Sequence, residues 1–424
     1  MLNIIETFSG IGSQVQALKN KHIKHSVKAI VEWEIGAMYA YDIMHNGPQD
    51  LSPYRHHTKE SLIKQLEIYN LSADGKVPIT SRALAAMPVI HLKSILCAIE
   101  RTNNLVDITK VNATDLPIAD ILTYSFPCQD LSVSGHWHNN HGGIDRDAKN
   151  RSTLLWEIER ILKGFVENNK ELPRFLLMEN VSNILSSKHI DNFNEWKIFL
   201  KELGYVNKVY TLDARNFGVP QSRIRTYMVS VLSTDVKKTE DIIDYFVIND
   251  LERKVLPKDK INPLSKYLKL DYSVYKYRNE AINSTPTYTS SRQKIFENNN
   301  LLACGNVIND FEYARTITTK QDRHPNSGII GYDKIVLTPT NTKYRNLTPR
   351  ECFLLMGFDE KQFDLLMDYN IDIGKNKKIL PNSKLSRLAG NSIVVQVLES
   401  IFEQINDINN KFFQYKETIL KKVI

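Results

Sequence analysis

One thiol in this sequence is placed for chemistry. Residues 119–132 read Ala-Asp-Ile-Leu-Thr-Tyr-Ser-Phe-Pro-Cys-Gln-Asp-Leu-Ser, an apolar run that breaks at Pro127 and leaves Cys128 at the mouth of a predicted buried strand. In open α/β sheets the reactive groups gather beyond the carboxyl ends of such strands, so the position suits a nucleophile. A lone cysteine is more often a small core residue, and its partners must decide. A second apolar run, residues 175–178, ends in Glu179-Asn180-Val181. A third segment, residues 221–227, sets Arg223 and Arg225 on one side of a strand by two-residue alternation. Thiol, acid and guanidinium would converge if these strands share a sheet. Each has a plainer alternative: a helix cap for Glu179, a solvated edge for the arginines.

Such a sheet is legible. Residues 2–8 suit a strand, 9–13 a tight turn, 14–19 the start of a helix, and 28–31 a second strand ending at Glu32. Glycines in a strand-to-helix turn let the backbone approach a ligand, and an acid ending the next strand accepts ribose hydroxyls. Gly10 and Gly12 with Glu32 therefore suggest a nucleoside site, while the missing third glycine disfavours a dinucleotide. Residues 46–103 have helical periodicity, as at 61–69, with a turn at Ala73-Asp74-Gly75, and read as an insertion without an evident role. Strand patterns resume near Ile121, at 175–178 and at 226–231, with an amphipathic helix over 154–163. This alternation predicts an α/β fold with a doubly wound sheet. From residue 232 the sequence turns polar and rich in Asn, Lys and Tyr, and periodicity returns near Leu347. The expected division is a catalytic and cofactor-binding domain over 1–231, a smaller second domain over 232–344, and a return to the first over 345–424.

Composition sets limits. The 424 residues exceed one ordinary core, and 42% hydrophobic with 24% charged residues are globular values. A net charge of +7 permits a polyanionic partner without demanding one. Cys97, Cys128, Cys304 and Cys352 stand far apart with no Cys-x-x-Cys pair, which argues against a disulfide framework or a zinc site. No basic leader and no apolar run of spanning length is present, so the chain reads as cytosolic, without a membrane partner.

The order of these motifs resembles the DNA (cytosine-5) methyltransferases of bacterial type. Phe8-Ser9-Gly10-Ile11-Gly12 looks like the first cofactor motif and Glu32-Trp33 the second, the acid holding the ribose and the indole stacking on adenine. Asp107-Ile108 resembles the third, with the aspartate on the adenine amino group. Phe126-Pro127-Cys128-Gln129 matches the catalytic motif, and Arg151-Ser152-Thr153-Leu154-Leu155 a further cofactor contact. Glu179-Asn180-Val181, 221–225, 345–351 and 390–394 follow in the family order, the last bringing Asn391 and Ile393 to the cofactor as the start of a helix over 390–398. Departures are mild: Glu6 stands for an aspartate, Thr7 for an apolar residue and Ser9 for alanine, while the insertion over 46–103 is unusually long.

The resemblance implies a Rossmann-like S-adenosylmethionine-dependent domain with a target-recognition domain. It implies Cys128 as the nucleophile adding to carbon 6 of a cytosine, Glu179 at ring N3, Arg225 at O2 and Arg223 beside them. A base inside a duplex must be extruded for this chemistry. Residues 130–150 read as the closing loop, with Gly135, Gly142 and Gly143 giving freedom, Arg146, Lys149 and Arg151 meeting phosphates, and Gln129 and Ser134 reaching the DNA. The histidines of 136–141 read as a polar loop and not a metal site. Thr316 and Ile317 resemble the paired residues of the recognition domain, and 266–278 interleaves bases with aromatics as a phosphate-contacting surface or an edge strand.

The expected function is sequence-specific methylation of cytosine carbon 5 in double-stranded DNA, by a monomer working in the cytoplasm at the nucleoid, alone or with a cognate restriction endonuclease. Residues 125–133 and 155–161 resemble CpG-methylating bacterial members, but catalytic text does not define a target. A tRNA cytosine-5 methyltransferase and a DNA-binding homologue without catalysis are the alternatives; the polar insert before Arg345 favours a duplex reader over the first, and the intact Cys128, Glu179 and Arg225 count against the second.

Overall fold

The computed structural model describes residues 1–127, 131, 143–148, 150–309, 312–321, 326–332, 342–374 and 377–414. Strand β1 (Leu2–Thr7) leads through the glycine turn into α1 (Ser13–Asn20) and returns as β2 (His25–Val31), parallel to it. After α2 (Ile35–Asn46) the chain enters the inserted helices α3 (Lys59–Leu66), α4 (Ser81–Ala85) and α5 (Val89–Arg101). Strand β3 (Ile121–Tyr124), helix α6 (Leu155–Glu167), β4 (Phe175–Val181), α7 (Ile190–Glu202), β5 (Tyr205–Asp213), the two-residue β6 (Gln221–Ser222) and β7 (Ile224–Leu232) follow.

The central sheet runs β2-β1-β3-β4-β7-β5. Its first four strands are parallel, and β7 is antiparallel to both β4 and β5. Apolar residues follow the strand period of two. Ile4 and Leu177 join an apolar cluster with Leu18, Val229 and Phe402 on one face, whereas their neighbours Ile5 and Leu176 join Leu122, Ile158 and Trp196 on the other. Both faces are therefore covered, as expected of a doubly wound sheet. Strand β5 escaped the sequence reading because only three of its residues are buried and Asn207 and Lys208 interrupt its apolar pattern.

The insertion is helical, as expected, and has an apolar cluster of its own: Tyr54, Leu62, Leu66, Leu84, Leu92 and Ile95 pack with Ile35 and Met38 of α2. Threonines cap two of its helices, Thr58 accepting from the Ser61 amide and Thr80 from that of Ala83.

Beyond residue 232 the packing changes later than the composition. Helix α8 (Val236–Ile248) buries Ile242, Tyr245 and Phe246 in the same cluster as Tyr210 and Ile405 of the large body. Helices α9 (Tyr275–Asn283) and α10 (Ser290–Asn298) precede short strands β8 (Leu301–Cys304), β9 (Val307–Ile308), β10 (Ala314–Arg315), β11 (Ile329–Gly331) and β12 (Tyr344–Asn346). Four of them form a small sheet in the order β12-β11-β8-β9, while β10 pairs with β6. Segment 266–278 is a turn leading into α9, not an edge strand. Two of its lysines are engaged with carboxylates, Lys269 with Glu360 at 2.7 Å and Lys276 with Asp364 at 2.8 Å, which corrects the assignment of these two to phosphates.

Helices α11 (Pro349–Leu355), α12 (Glu360–Asp368), α13 (Asn382–Asn391) and α14 (Val395–Asn409) complete the chain. The single helix expected over 390–398 is two helices with a break at 392–394. The Gly390 and Ser392 carbonyls both accept from Arg223, and the Ile393 amide donates to Ser13 Oγ, so these groups are drawn out of the helical ladder. Gly390 is required there because a Cβ would lie 2.5 Å from the Thr318 backbone.

Candidate active site

The glycine turn after β1 is built by close approach. Gly12 has φ +79°, and a Cβ on it would lie 2.3 Å from His45 Nε2; that ring nitrogen is 2.9 Å from the Ile11 carbonyl. Gly10, at φ +55°, differs: a Cβ there would meet nothing within 4 Å, so its backbone fronts open space. Its amide donates to Glu32 Oε2 at 2.9 Å, and Glu34 donates its amide to Glu32 Oε1 at 2.8 Å. Asn104 holds Glu32 by both backbone groups, accepting its amide and donating to its carbonyl. Burial raises the Glu32 carboxyl to about 7, only partly offset by the amides, and hydroxyl donors would stabilise its ionised form. An open glycine backbone beside a desolvated acceptor fits the ribose end of S-adenosylmethionine.

The remaining residues expected at the cofactor gather nearby. Phe8 adopts φ 54° and donates its amide to Val31 at 2.8 Å, placing it between the two strand ends. Trp33 is half-buried against the insertion cluster. Asp107 is buried, its Oδ1 accepting from the Thr109 amide and hydroxyl. Ile108 and Leu154 belong to the apolar cluster on the β3–α6 side of the sheet. Ile393 lines a small cleft with Gln14, Tyr124, Ser125 and Glu179, and Ser13 and Ser392 meet through their hydroxyls at 2.6 Å. Asn391 ends α13 on the same segment and is exposed.

Glu179 sits near the carboxyl end of β4, opposite Tyr227 of β7. Arg225 Nε lies 3.5 Å from Glu179 Oε1, and the Glu179 side chain is 12% exposed. Burial raises its carboxyl above the ordinary range, with Arg225 and Arg223 opposing the shift. Arg223 is a tie as well as a charge: its guanidinium donates to the carbonyls of Ile317, Gly390 and Ser392 at 2.8–3.0 Å. It joins β7 to both the second region and the carboxyl-terminal return, a role that spacing alone did not reveal.

Cys128 and Gln129 lie outside the described residues, as do Ser134, Gly135, Gly142, Lys149 and the histidines of 136–141. The chain around them is anchored. Asn180 Nδ2 donates to the Phe126 carbonyl, Ser152 Oγ to that of Pro127 at 2.8 Å, and Asn183 Nδ2 to that of Leu131 at 2.6 Å. These side chains went unassigned in the sequence, although Asn180 and Ser152 stand inside the motifs quoted above.

One expectation for the following loop, Arg146 as a phosphate contact, is corrected. Arg146 is bound to Glu159 and Glu195 and lies 3.7 Å over the Trp156 ring, so it holds α6 to α7 and is not free for phosphate. Arg151 donates to the Gly75 carbonyl at 3.3 Å. Gly143 has φ +52°, and its Cβ would collide with His189, so close packing explains that glycine. In the second region, Thr316 Oγ1 donates to Ser222 at 2.7 Å, and the Ile317 side chain is fully enclosed. The Ile317 side chain therefore packs the joint and is closed to the contact with DNA expected of it. Among the described residues no cluster of His, Cys, Asp and Glu has the makings of a metal site, and no helix is long and apolar enough to cross a membrane.

Comparison with known proteins agrees with this architecture. The family model for C-5 cytosine-specific DNA methylase matches residues 91–407. The orphan methyltransferase M.SssI of Spiroplasma monobiae is 31% identical over 409 residues, covering 95% of this chain and 97% of its own. The type II methyltransferase M2.ScrFI of Lactococcus lactis subsp. cremoris is 31% identical over 419 residues, 96% of this chain and 99% of its own. The crystal structure of the S. pombe Dnmt2 methyltransferase shares the fold, with a TM-score of 0.59 at 18% identity over 96% of this chain and all of that one. With an open glycine turn after β1 and an arginine-held acid at the end of β4, the chain belongs to the C-5 cytosine-specific DNA methylases and is an S-adenosylmethionine-dependent DNA cytosine-5 methyltransferase.

Proposed function

We propose that Cys128 is the nucleophile of this reaction and that Glu179, Arg225 and Arg223 make its addition feasible. The observation that carries the reading is the Glu179–Arg225 pair, at the carboxyl end of β4, in the same cleft as Ile393 and Ser125. Pyrimidine carbon 5 is a poor nucleophile until a thiolate adds at carbon 6 and makes it enamine-like. A protonated Glu179 donates to ring N3 and takes up the charge that addition creates, which a carboxyl raised by burial is suited to do. Arg225 donates to O2, and Arg223 holds the strand end that presents it. S-adenosylmethionine, when bound by Phe8, Gly10, Gly12, Glu32, Trp33, Asp107, Ile108, Leu154, Asn391 and Ile393, supplies the methyl group. A base then takes the carbon 5 proton, and breakage of the sulfur–carbon 6 bond restores the thiolate.

The substrate in this reading is a cytosine extruded from double-stranded DNA, with Gln129 and Ser134 at the vacated space and residues 232–344, including Thr316 over the enclosed Ile317, reading the target. The enzyme works as a monomer in the cytoplasm, at the nucleoid. The type II name of the Lactococcus relative favours a cognate restriction endonuclease as partner, whereas the orphan name of the Spiroplasma relative favours a solitary enzyme. Bisulfite sequencing of plasmid from cells expressing the wild type and Cys128→Ala tests the core of this reading. Protected cytosines in one recurring sequence, absent with the variant, are expected. Protection that survives Cys128→Ala would remove the cysteine from the chemistry, and an unmodified plasmid beside folded wild-type protein would turn the search to tRNA.

A further inference from the structure

Residues 70–75 of the insertion over 46–103 touch the cofactor end of the site. Asn70 Nδ2 donates to Asp107 Oδ2 at 2.7 Å. Ser72 donates its amide to the Trp33 carbonyl at 2.8 Å and accepts from the Ile35 amide at 2.9 Å, a parallel bridge alongside Glu34. The Gly75 carbonyl accepts from Arg151, and at φ +70° a Cβ on Gly75 would come within 3.2 Å of Glu34 Oε2. Three residues of an element with no assigned role, Asn70, Ser72 and Gly75, thus bond to three residues of segments assigned above to the cofactor: Asp107, Trp33 and Arg151.

We propose that this stretch is the wall of the adenine end of the site and that Asn70 is a positioning residue acting through Asp107; the inference rests on the reading of Asp107 as the adenine contact. The Asp107 carboxylate is held from both ends, with Oδ1 on Thr109 and Oδ2 on Asn70, so its plane is fixed before any ligand arrives. Each carboxylate oxygen accepts more than one hydrogen bond, and Oδ2 has capacity left for an exocyclic amino group. Asn70 is not needed to hold its own segment down. Leu71 is fully buried in the insertion cluster, and the two backbone bonds at Ser72 fasten the chain. The half-buried amide of Asn70 therefore acts on orientation, where preorganisation reduces the cost of binding.

The test is titration calorimetry of the full-length protein with S-adenosylhomocysteine and with S-inosylhomocysteine, in which an oxo group replaces the adenine amino group. The wild type is expected to prefer the adenosyl compound. Asn70→Ala is expected to weaken it by about tenfold, the scale of one hydrogen bond, and to shrink that preference. Asn70→Asp keeps the shape but turns a donor into an acceptor, and is expected to do the same. A double variant with Asp107→Ala is expected to bind no more weakly than Asp107→Ala alone. Wild-type affinity and preference in both Asn70 variants, or equal weakening of the two compounds, would overturn the inference while leaving the reading of Asp107 intact. Wild-type binding by Asp107→Ala would overturn that reading itself.

Discussion

Two glutamate–arginine pairs in this molecule use the same residue types for opposite ends. Arg345 and Glu351 form a two-pronged pair at 2.8 and 2.9 Å, both side chains wholly buried, with Tyr272 on the guanidinium and the Thr348 amide on the carboxylate. Glu179 and Arg225 meet through one longer contact of 3.5 Å beside a cleft. The first pair has its lone pairs and protons taken up by protein, and it fastens β12 to α11. The second leaves Glu179 desolvated but incompletely matched, which is the condition for a raised carboxyl and for donation to a substrate. Completeness of pairing, more than burial, separates a rivet from a reactive group.

Three changes would break or sharpen that contrast. Replacing the buried acid, Glu351→Ala, strands a guanidinium without its partner and is expected to lower stability by about 3–5 kcal/mol, read by urea unfolding. The matching change at the cleft, Glu179→Gln, is expected to move stability little while reducing kcat by about 10²–10⁴-fold, with DNA binding retained in a mobility shift. If the two variants exchanged these phenotypes, the distinction drawn here would be lost.

A third carboxyl sharpens it further, since it has no arginine within hydrogen-bond reach. Glu6, fully buried in β1, accepts from Tyr41 Oη at 2.7 Å, with the Val15 amide also favouring its charge, and its other oxygen lacks a side-chain partner. Burial raises it to about 7 from an ordinary 4.5. A carboxyl held protonated in the folded state contributes stability that is present below pH 4.5 and is lost as pH rises through 7. Unfolding curves of wild type and Glu6→Gln between pH 4.5 and 8 are therefore expected to shift relative to one another by about 3 kcal/mol in favour of the variant at the alkaline end. Parallel pH profiles would show that Glu6 ionises normally.

The regular half of this fold was open to reading because its elements repeat. Short apolar runs in β1, β3 and β4 and apolar residues at helical spacing in α6 announced a doubly wound sheet, and Gly10, Glu32 and Glu179 fell where strands must end. Strand β5 and the short strands of the second region stayed hidden, because strands with few buried residues carry little period. The break in the helix over 390–398 was illegible for another reason, since Arg223 comes from the link between β6 and β7, far away in the chain.

The sequence by itself determined the reaction class, because nucleophile, acid and nucleoside turn come as contiguous motifs whose local geometry is set by proline, glycine and strand ends. Tertiary structure alone decided what each arginine and each inserted residue does. Arg146 and Arg225 look alike along the chain, yet one is saturated by two glutamates and an indole and the other meets a buried acid through one contact of 3.5 Å. Asn70 acquires meaning only because folding brings it 2.7 Å from Asp107. Pairing and desolvation depend on neighbours distant in sequence, and no local pattern encodes them.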